Sequence, residues 1–181
     1  PQCQRMDQFR WVSTRLKELL PVPYFHCVFT LPHKLNPLID ANPEKLLGLL
    51  FQSAAATLLK LGSDPKLLGA KLGVLMVLHT WGQRLNFHAH VHCIVTGGGL
   101  NSQNEWIPSK TPTFLFPVEI MSKVFRGKYC EQLKRLMERK ELKTHDLDFD
   151  SLIDKLFKKD WVVYAKRPFS GPEVVLKYLA R

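Results

Sequence analysis

The sequence predicts an α+β fold built on a mainly antiparallel sheet. Stretches at residues 24–31, 71–81 and 87–96 are aromatic, β-branched or continuously apolar and read as strands. Alanine- and leucine-rich helical patterns separate them. The short "WGQRLN" between the second and third has the length of a hairpin connection, which makes those two strands antiparallel neighbours.

Each element follows from its own spacing. "DQFRWVSTRLKELL" places Phe9, Val12, Leu16, Leu19 and Leu20 at helical intervals and ends at "PVP". "YFHCVFTL" is a strand closed by Pro32. The run from Asn36 to Gly62 reads as helix, most securely from Pro43 to Leu61, with Asn42 as N-cap and Pro43 at the first helical position. "KLGVLMVLHTW" is apolar on both faces, the pattern of a central strand. The next strand is expected to end in a tight turn at Gly97–Gly99. "EWIP" and "TFLFP" suggest short edge strands bounded by proline. Residues 117–142 form a basic helix carrying Lys123, Arg126, Lys128, Lys134, Arg135, Arg139 and Lys140. "FDSLIDKLFK" is a short helix with Asp150 as cap, "WVVYAK" a further strand, and "GPEVVLKYLAR" a helix with Pro172 in its first turn.

With 181 residues and 45% hydrophobic content, one domain can bury a full core. Lysine and arginine total 26 against 16 acidic residues, a formal charge of +10, which favours a polyanionic partner such as nucleic acid. The four cysteines (Cys3, Cys27, Cys93, Cys130) form no CxxC pair, so reduced thiols in a cytoplasmic protein are expected. No uninterrupted apolar run of membrane-spanning length occurs, and no membrane span is expected. The opening "PQCQRMDQFRW" and the closing "VVLKYLAR" both read as cut from something longer.

The chemistry-bearing stretch is "FHAHVHCIV". On a strand, His88, His90 and His92 share one face, while Ala89, Val91, Cys93 and Val95 share the other and pack on a helix. Desolvating imidazoles on a packed strand is unfavourable unless each finds a partner, and a divalent metal serves two rings at strand spacing. His79 strengthens this reading. If "WGQRLN" reverses the chain, His79 falls across from the His88 to His92 region, and a directly opposed pair such as 79 and 90 would point to one face. Three ligands with open positions describe a catalytic rather than a structural metal. An HxH pair alone also occurs in zinc hydrolases and does not name a reaction.

Three blocks, "LPVPYFHCVFTLPHKLNPL", "VLHTWGQRLNFHAHVHCIVTGGGL" and "GPEVVLKYLAR", resemble successive blocks of the two-tyrosine HUH transposases, which mobilise insertion sequences by rolling-circle transposition. HUH denotes histidine, hydrophobic residue, histidine, which is His90, Val91 and His92 in this chain. The resemblance implies a ferredoxin-like palm with helices packed on one face of the sheet. It implies Mg2+ or Mn2+ held by His90, His92 and a third protein ligand. His79 is the preferred third ligand, with His88 and then Gln83 as competitors. It implies cleavage of single-stranded DNA at transposon ends by Tyr178, the residue matching the first tyrosine of the family's helix. A free phenol titrates near pH 10, so a cation beside the phosphate and a proton acceptor both assist. The product is a free 3′-hydroxyl and a covalent 5′-phosphotyrosine. The family's second tyrosine stands four residues further on, one position beyond Arg181.

The same resemblance divides the chain into residues 1–20, a helix with the tail of a cysteine-rich zinc module, and residues 21–181, the catalytic domain cut at its C-terminus. Only Cys3 of that module is present, so no structural zinc is expected. It also implies a prokaryotic cytoplasmic protein that meets the nucleoid through DNA. Lys166, Arg167, Arg84 and Lys177 are candidate DNA contacts, as is the basic helix, and Trp81 and Trp106 could stack on unpaired bases. Glu119, Glu131 and Asp146 have no paired spacing for carboxylate catalysis. Two other readings of the same residues are a zinc hydrolase using the HxH pair and a catalytically decayed, basic DNA-binding module.

Overall fold

A computed structural model describes residues 2–81, 87–144, 147–166 and 171–180, with side chains from Arg5 onward. Helix α1 (Gln2–Lys17) precedes strand β1 (Tyr24–Thr30). A single 3-10 turn (His33–Leu35) and the short α2 (Asn36–Ala41) lead into the long α3 (Pro43–Ser63). Strands β2 (Lys71–Trp81), β3 (Phe87–Leu100) and β4 (Trp106–Pro108) follow. The chain then forms α4 (Val118–Glu138), α5 (Phe149–Phe157), β5 (Val163–Lys166) and α6 (Pro172–Leu179).

The sheet order is β2-β3-β1-β5, with β4 added on β3, and every pairing is antiparallel. With α3 between β1 and β2 and α4 between β3 and β5, this is the split β-α-β order of a ferredoxin-like α+β fold. Phe25, Cys27, Phe29, Val91, Cys93 and Val95 bury one face against α3, α4 and α5. Leu46, Leu50, Ala54, Leu58 and Leu61 recur at intervals of three and four, so α3 presents one apolar stripe to that core. α3 is long and apolar enough to cross a membrane by length and composition, and its packing between sheet and α4 accounts for that apolarity. Over the opposite face, α1 and α6 cover only part of the sheet, through a smaller cluster that includes Tyr24, Ile94, Leu176 and Leu179.

Several local expectations are corrected. β2 pairs only with β3 among the described residues, so it is an edge strand rather than a central one. It is apolar on both faces because helices cover both: Val74, Met76 and Leu78 turn to the main core, Leu75 and Val77 to the cluster under α6. Gly97–Gly99 do not end β3. They stay in the strand, Gly98 and Gly99 pairing with β4 and Gly99 also with the start of β2, because the missing side chains admit backbone neighbours. A Cβ on Gly99 would collide with the Lys71 carbonyl, and one on Gly97 would lie 2.9 Å from the Pro23 carbonyl oxygen.

"TFLFP" is no strand; Leu115 and Phe116 instead plug into the core between Pro112 and Pro117. Asn42 makes no side-chain cap. Its amide donates to the carbonyls of Leu38 and Lys143 and its oxygen accepts from Lys143 N–H, tying the α2–α3 junction to the loop after α4. The cap of α5 is Asp148, which accepts from Ser151 N–H at 3.0 Å, two residues before the expected Asp150.

Candidate metal centre

The site is built first by register. In the β2–β3 ladder His79 stands directly opposite His90 and Val77 opposite His92. Opposed residues share a face, so the three imidazoles meet on the side of the sheet away from α3 and α4. A register shift between His79 and Trp81 breaks the ladder just beyond His79, the kind of irregularity that re-aims side chains. Ring centroids lie 4.6 Å apart for His79 and His92, 4.9 Å for His90 and His92, and 5.5 Å for His79 and His90. One nitrogen from each ring lies within 4.8 Å of the other two.

Protonation follows from the hydrogen bonds. His90 Nδ1–H donates to the carbonyl of His88 at 2.6 Å, because a carbonyl can only accept. That leaves the lone pair of His90 on Nε2. His92 is 6% exposed, and its Nδ1 lies 2.8 Å from Nε2 of His26, with the two rings stacked at an interplanar angle of 11°. Its own Nε2 is buried with no hydrogen-bond partner.

Burial, reinforced by the neighbouring His26, His79 and His90, pushes the His92 pKa down to about 3. Burial also lowers His26, His88 and His90. His90 and His92 are thus held neutral, the form a metal requires. An orphaned, desolvated nitrogen converging with two others fits a cation that accepts lone pairs. An all-imidazole set favours a first-row transition ion over Mg2+, which prefers oxygen.

Tyr178 comes from a separate element. Leu176 and Leu179 of α6 are buried in the cluster with Tyr24 and Ile94, which docks the helix over the histidine face. The Tyr178 ring stands 6.0 Å from His92 and 6.2 Å from His79, with the side chain 48% exposed. The structure therefore brings His79, His90, His92 and Tyr178 together.

His88 shares the face, its ring 5.1 Å from His90, but is not in the converging group; its carbonyl orients His90 instead. Lys166 pairs across β5 with His26, on the histidine face, and its ammonium sits 5.6 Å over the Tyr164 ring. Lys177 is exposed beside Tyr178. Gln83, Arg84, Arg167 and Asp146 lie outside the described residues. Trp81 is exposed, edge-on to Phe87, and Trp106 covers Gly98.

The basic helix α4 packs on the other side of the sheet from the histidines, which separates its charges from any strand lying on them. Its Arg126 is a structural tie, donating to the carbonyls of Phe157 and Lys159 and pairing with Asp160 at 3.3 Å. His26 is the site residue that sequence reasoning missed. Its position in "YFHCVFT" has the parity of Tyr24, Val28 and Thr30, opposite to the core-facing Phe25, Cys27 and Phe29, and that parity is the signal available.

Residues 73–181 match the Y2_Tnp family model, described as "Putative transposase". The chain belongs to the Y2_Tnp transposase family. Residues 1–31 of this transposase-family chain also match the "Transposase zinc-binding domain", a match that takes in α1 and β1. "Putative transposase y4qJ" of Sinorhizobium fredii (strain NBRC 101917 / NGR234) is 41% identical over 190 residues, covering 100% of this chain and 48% of the relative. "Transposase for insertion sequence element IS801" of Pseudomonas savastanoi pv. phaseolicola is 41% identical over 106 residues, 59% of this chain and 25% of the relative. The chain thus spans about half the length, or less, of these curated relatives.

Among solved structures, TrwC complexed with a 27-mer DNA comprising the recognition hairpin and the cleavage site aligns over 61% of this chain and 44% of its own. That likeness is partial, with 14% identity and a TM-score of 0.46. The transposase match over residues 73–181 takes in His79, His90, His92 and Tyr178, and leaves His26 to the zinc-binding-domain match.

Proposed function

We propose that this chain is the nicking core of a rolling-circle transposase, acting on single-stranded DNA at transposon ends. The observation that carries the reading is the convergence of His79, His90 and His92 within ring-contact distance of Tyr178. His79, His90 and His92 would hold the ion, Mn2+ fitting their nitrogen donors better than Mg2+. Such a cation supplies charge neutralisation at the scissile phosphate. The family and the excess of basic charge support DNA as the polyanion.

The chain's own residues supply the rest. Tyr178 Oη forms a bond to phosphorus and its proton passes to water. The bond from phosphorus to the 3′ oxygen breaks, and that oxygen takes up a proton to become a free hydroxyl. The 5′-phosphate remains on the tyrosine. With an ion on His92 Nε2, His92 Nδ1–H would donate to His26 Nε2, 2.8 Å away, which would hold the His92 lone pair on Nε2. Lys166 and Lys177, with Arg84 and Arg167, would supply positive charge to the DNA phosphates. Residues 1–20 serve as the tail of a preceding zinc module, and residues 21–181 as the nuclease.

The test uses labelled single strands tiling the DNA that flanks the gene. With Mn2+, a covalent adduct on a denaturing gel is expected, lost in Tyr178→Phe and in His90→Ala. Cleavage persisting in Tyr178→Phe would remove the nucleophile from this reading. Strand binding with no adduct in the intact protein would make it a DNA-binding module, and tight zinc with no DNA affinity would make it a hydrolase.

A further inference from the structure

Beyond the histidines, where the end of β1 meets the start of β3, a cavity of about 280 Å3 opens beside His33 and His88. Its walls are apolar, formed by Leu31, Pro32, Leu156 and Val162. Its rim is cationic. Lys34, Lys155 and Lys159 line it, all exposed, and none of their ammoniums has an ion pair or hydrogen bond among the described residues. The one carboxylate at the rim, Asp160, is already engaged by Arg126.

An apolar slot ringed by uncompensated cations matches a ligand that is flat and apolar in one part and anionic in another. It does not match a free hydrophobe or an acidic peptide, which would use only half of it. An unstacked nucleotide of a single strand has both parts in one unit.

Position decides which nucleotide. The His33 and His88 rings stand 5.1 Å apart at the mouth, and His88 is again 5.1 Å from His90. The slot therefore opens one ring beyond the proposed metal ligands, on the side away from His26 and Lys166. We infer that this cavity receives the base of a nucleotide next to the scissile phosphate, between the walls and His33, while Lys155 and Lys159 hold the phosphate that follows. This inference rests on the DNA reading above and adds a specificity site to it. A base turned into the slot leaves the stack, which fixes the strand's register on the metal before any bond breaks.

The test compares two labelled probes in chelator, a short oligothymidylate and a strand of equal length with abasic residues, by fluorescence anisotropy. The intact protein is expected to bind the base-bearing strand about fivefold or more tightly, the scale of one stacked base. His33→Ala and Val162→Glu, both at exposed positions, should shrink that gap, whereas Lys155→Ala with Lys159→Ala should weaken both strands alike. A 5-iodouracil crosslink should map to the segments bearing His33, His88 or Val162.

A gap unchanged in His33→Ala and Val162→Glu, equal affinity for the two strands, or crosslinks confined to other segments would overturn the pocket while leaving the DNA reading in place. Failure of the intact protein to bind either strand at low salt would remove the DNA reading itself.

Discussion

The two faces of this sheet are made by alternate residues of the same strands, yet they solve opposite problems. On the α3–α4 side, Phe25, Cys27, Phe29, Val91 and Cys93 are almost wholly buried and carry no charge, so packing alone satisfies them. On the other side, His26, His88, His90 and His92 are held neutral and crowded together, and one buried nitrogen has no partner. The first face is where the fold is stabilised. The second keeps an unfavourable arrangement that a cation would relieve.

The largest effect that can break this comparison is on the packed face. Phe29 is fully buried and edge-on to Phe125, so Phe29→Ala should destabilise by about 3–5 kcal/mol in urea unfolding. Its folded fraction should keep its Mn2+ affinity, because no ring of the triad touches that side.

The converse is His92→Leu. Replacing a desolvated imidazole with an apolar side chain removes the orphaned Nε2, a group whose burial costs about 1–3 kcal/mol. Metal-free His92→Leu should therefore melt at least as high as the parent while its Mn2+ affinity, by calorimetry, falls about 100-fold or more, as for loss of a ligand rather than of its support. A lower melting point would show that the two faces do not divide their roles.

His26 sharpens the boundary between support and ligand. His26→Ala should weaken Mn2+ by about tenfold, and His26→Gln, whose amide oxygen can still accept from His92 Nδ1–H, should restore most of it. The nitrogen-15 shifts of His92 should report the change of tautomer directly. The smallest effect is on Tyr178→Phe. At 48% exposure and with no side-chain hydrogen bond among the described residues to lose, its stability should change by less than about 0.5 kcal/mol and strand binding should persist, while the covalent adduct disappears.

Sequence patterns made much of this legible. A hairpin at "WGQRLN" brings His79 across from the His88 to His92 region, and in the ladder His79 stands opposite His90. Period and composition located the three long strands and the helices between β1 and β2 and between β3 and β5. What escaped depended on partners that no local pattern names. β2 reads as central because both its faces are apolar, but a strand at an edge can also be covered twice. The glycines at 97–99 read as a turn because the neighbours that need their bare backbone, Lys71 and Pro23, are far away in sequence. His26 was passed over for the same reason: nothing in "YFHCVFT" announces that β1 will lie beside His92.

The elements proposed to carry the reaction differ in how they are secured. His79, His90 and His92 belong to a single hairpin, a short-range unit held by a continuous ladder. Tyr178 arrives on eight residues of helix, too few to be stable alone, attached chiefly through Leu176 and Leu179. Local unfolding can therefore take away Tyr178, the proposed nucleophile, and leave the three histidines in place. On the proposed reading, the frequency of cutting would follow the population of docked α6, an equilibrium that temperature, a mutation in its two leucines or a neighbouring segment can move without touching any of the three histidines.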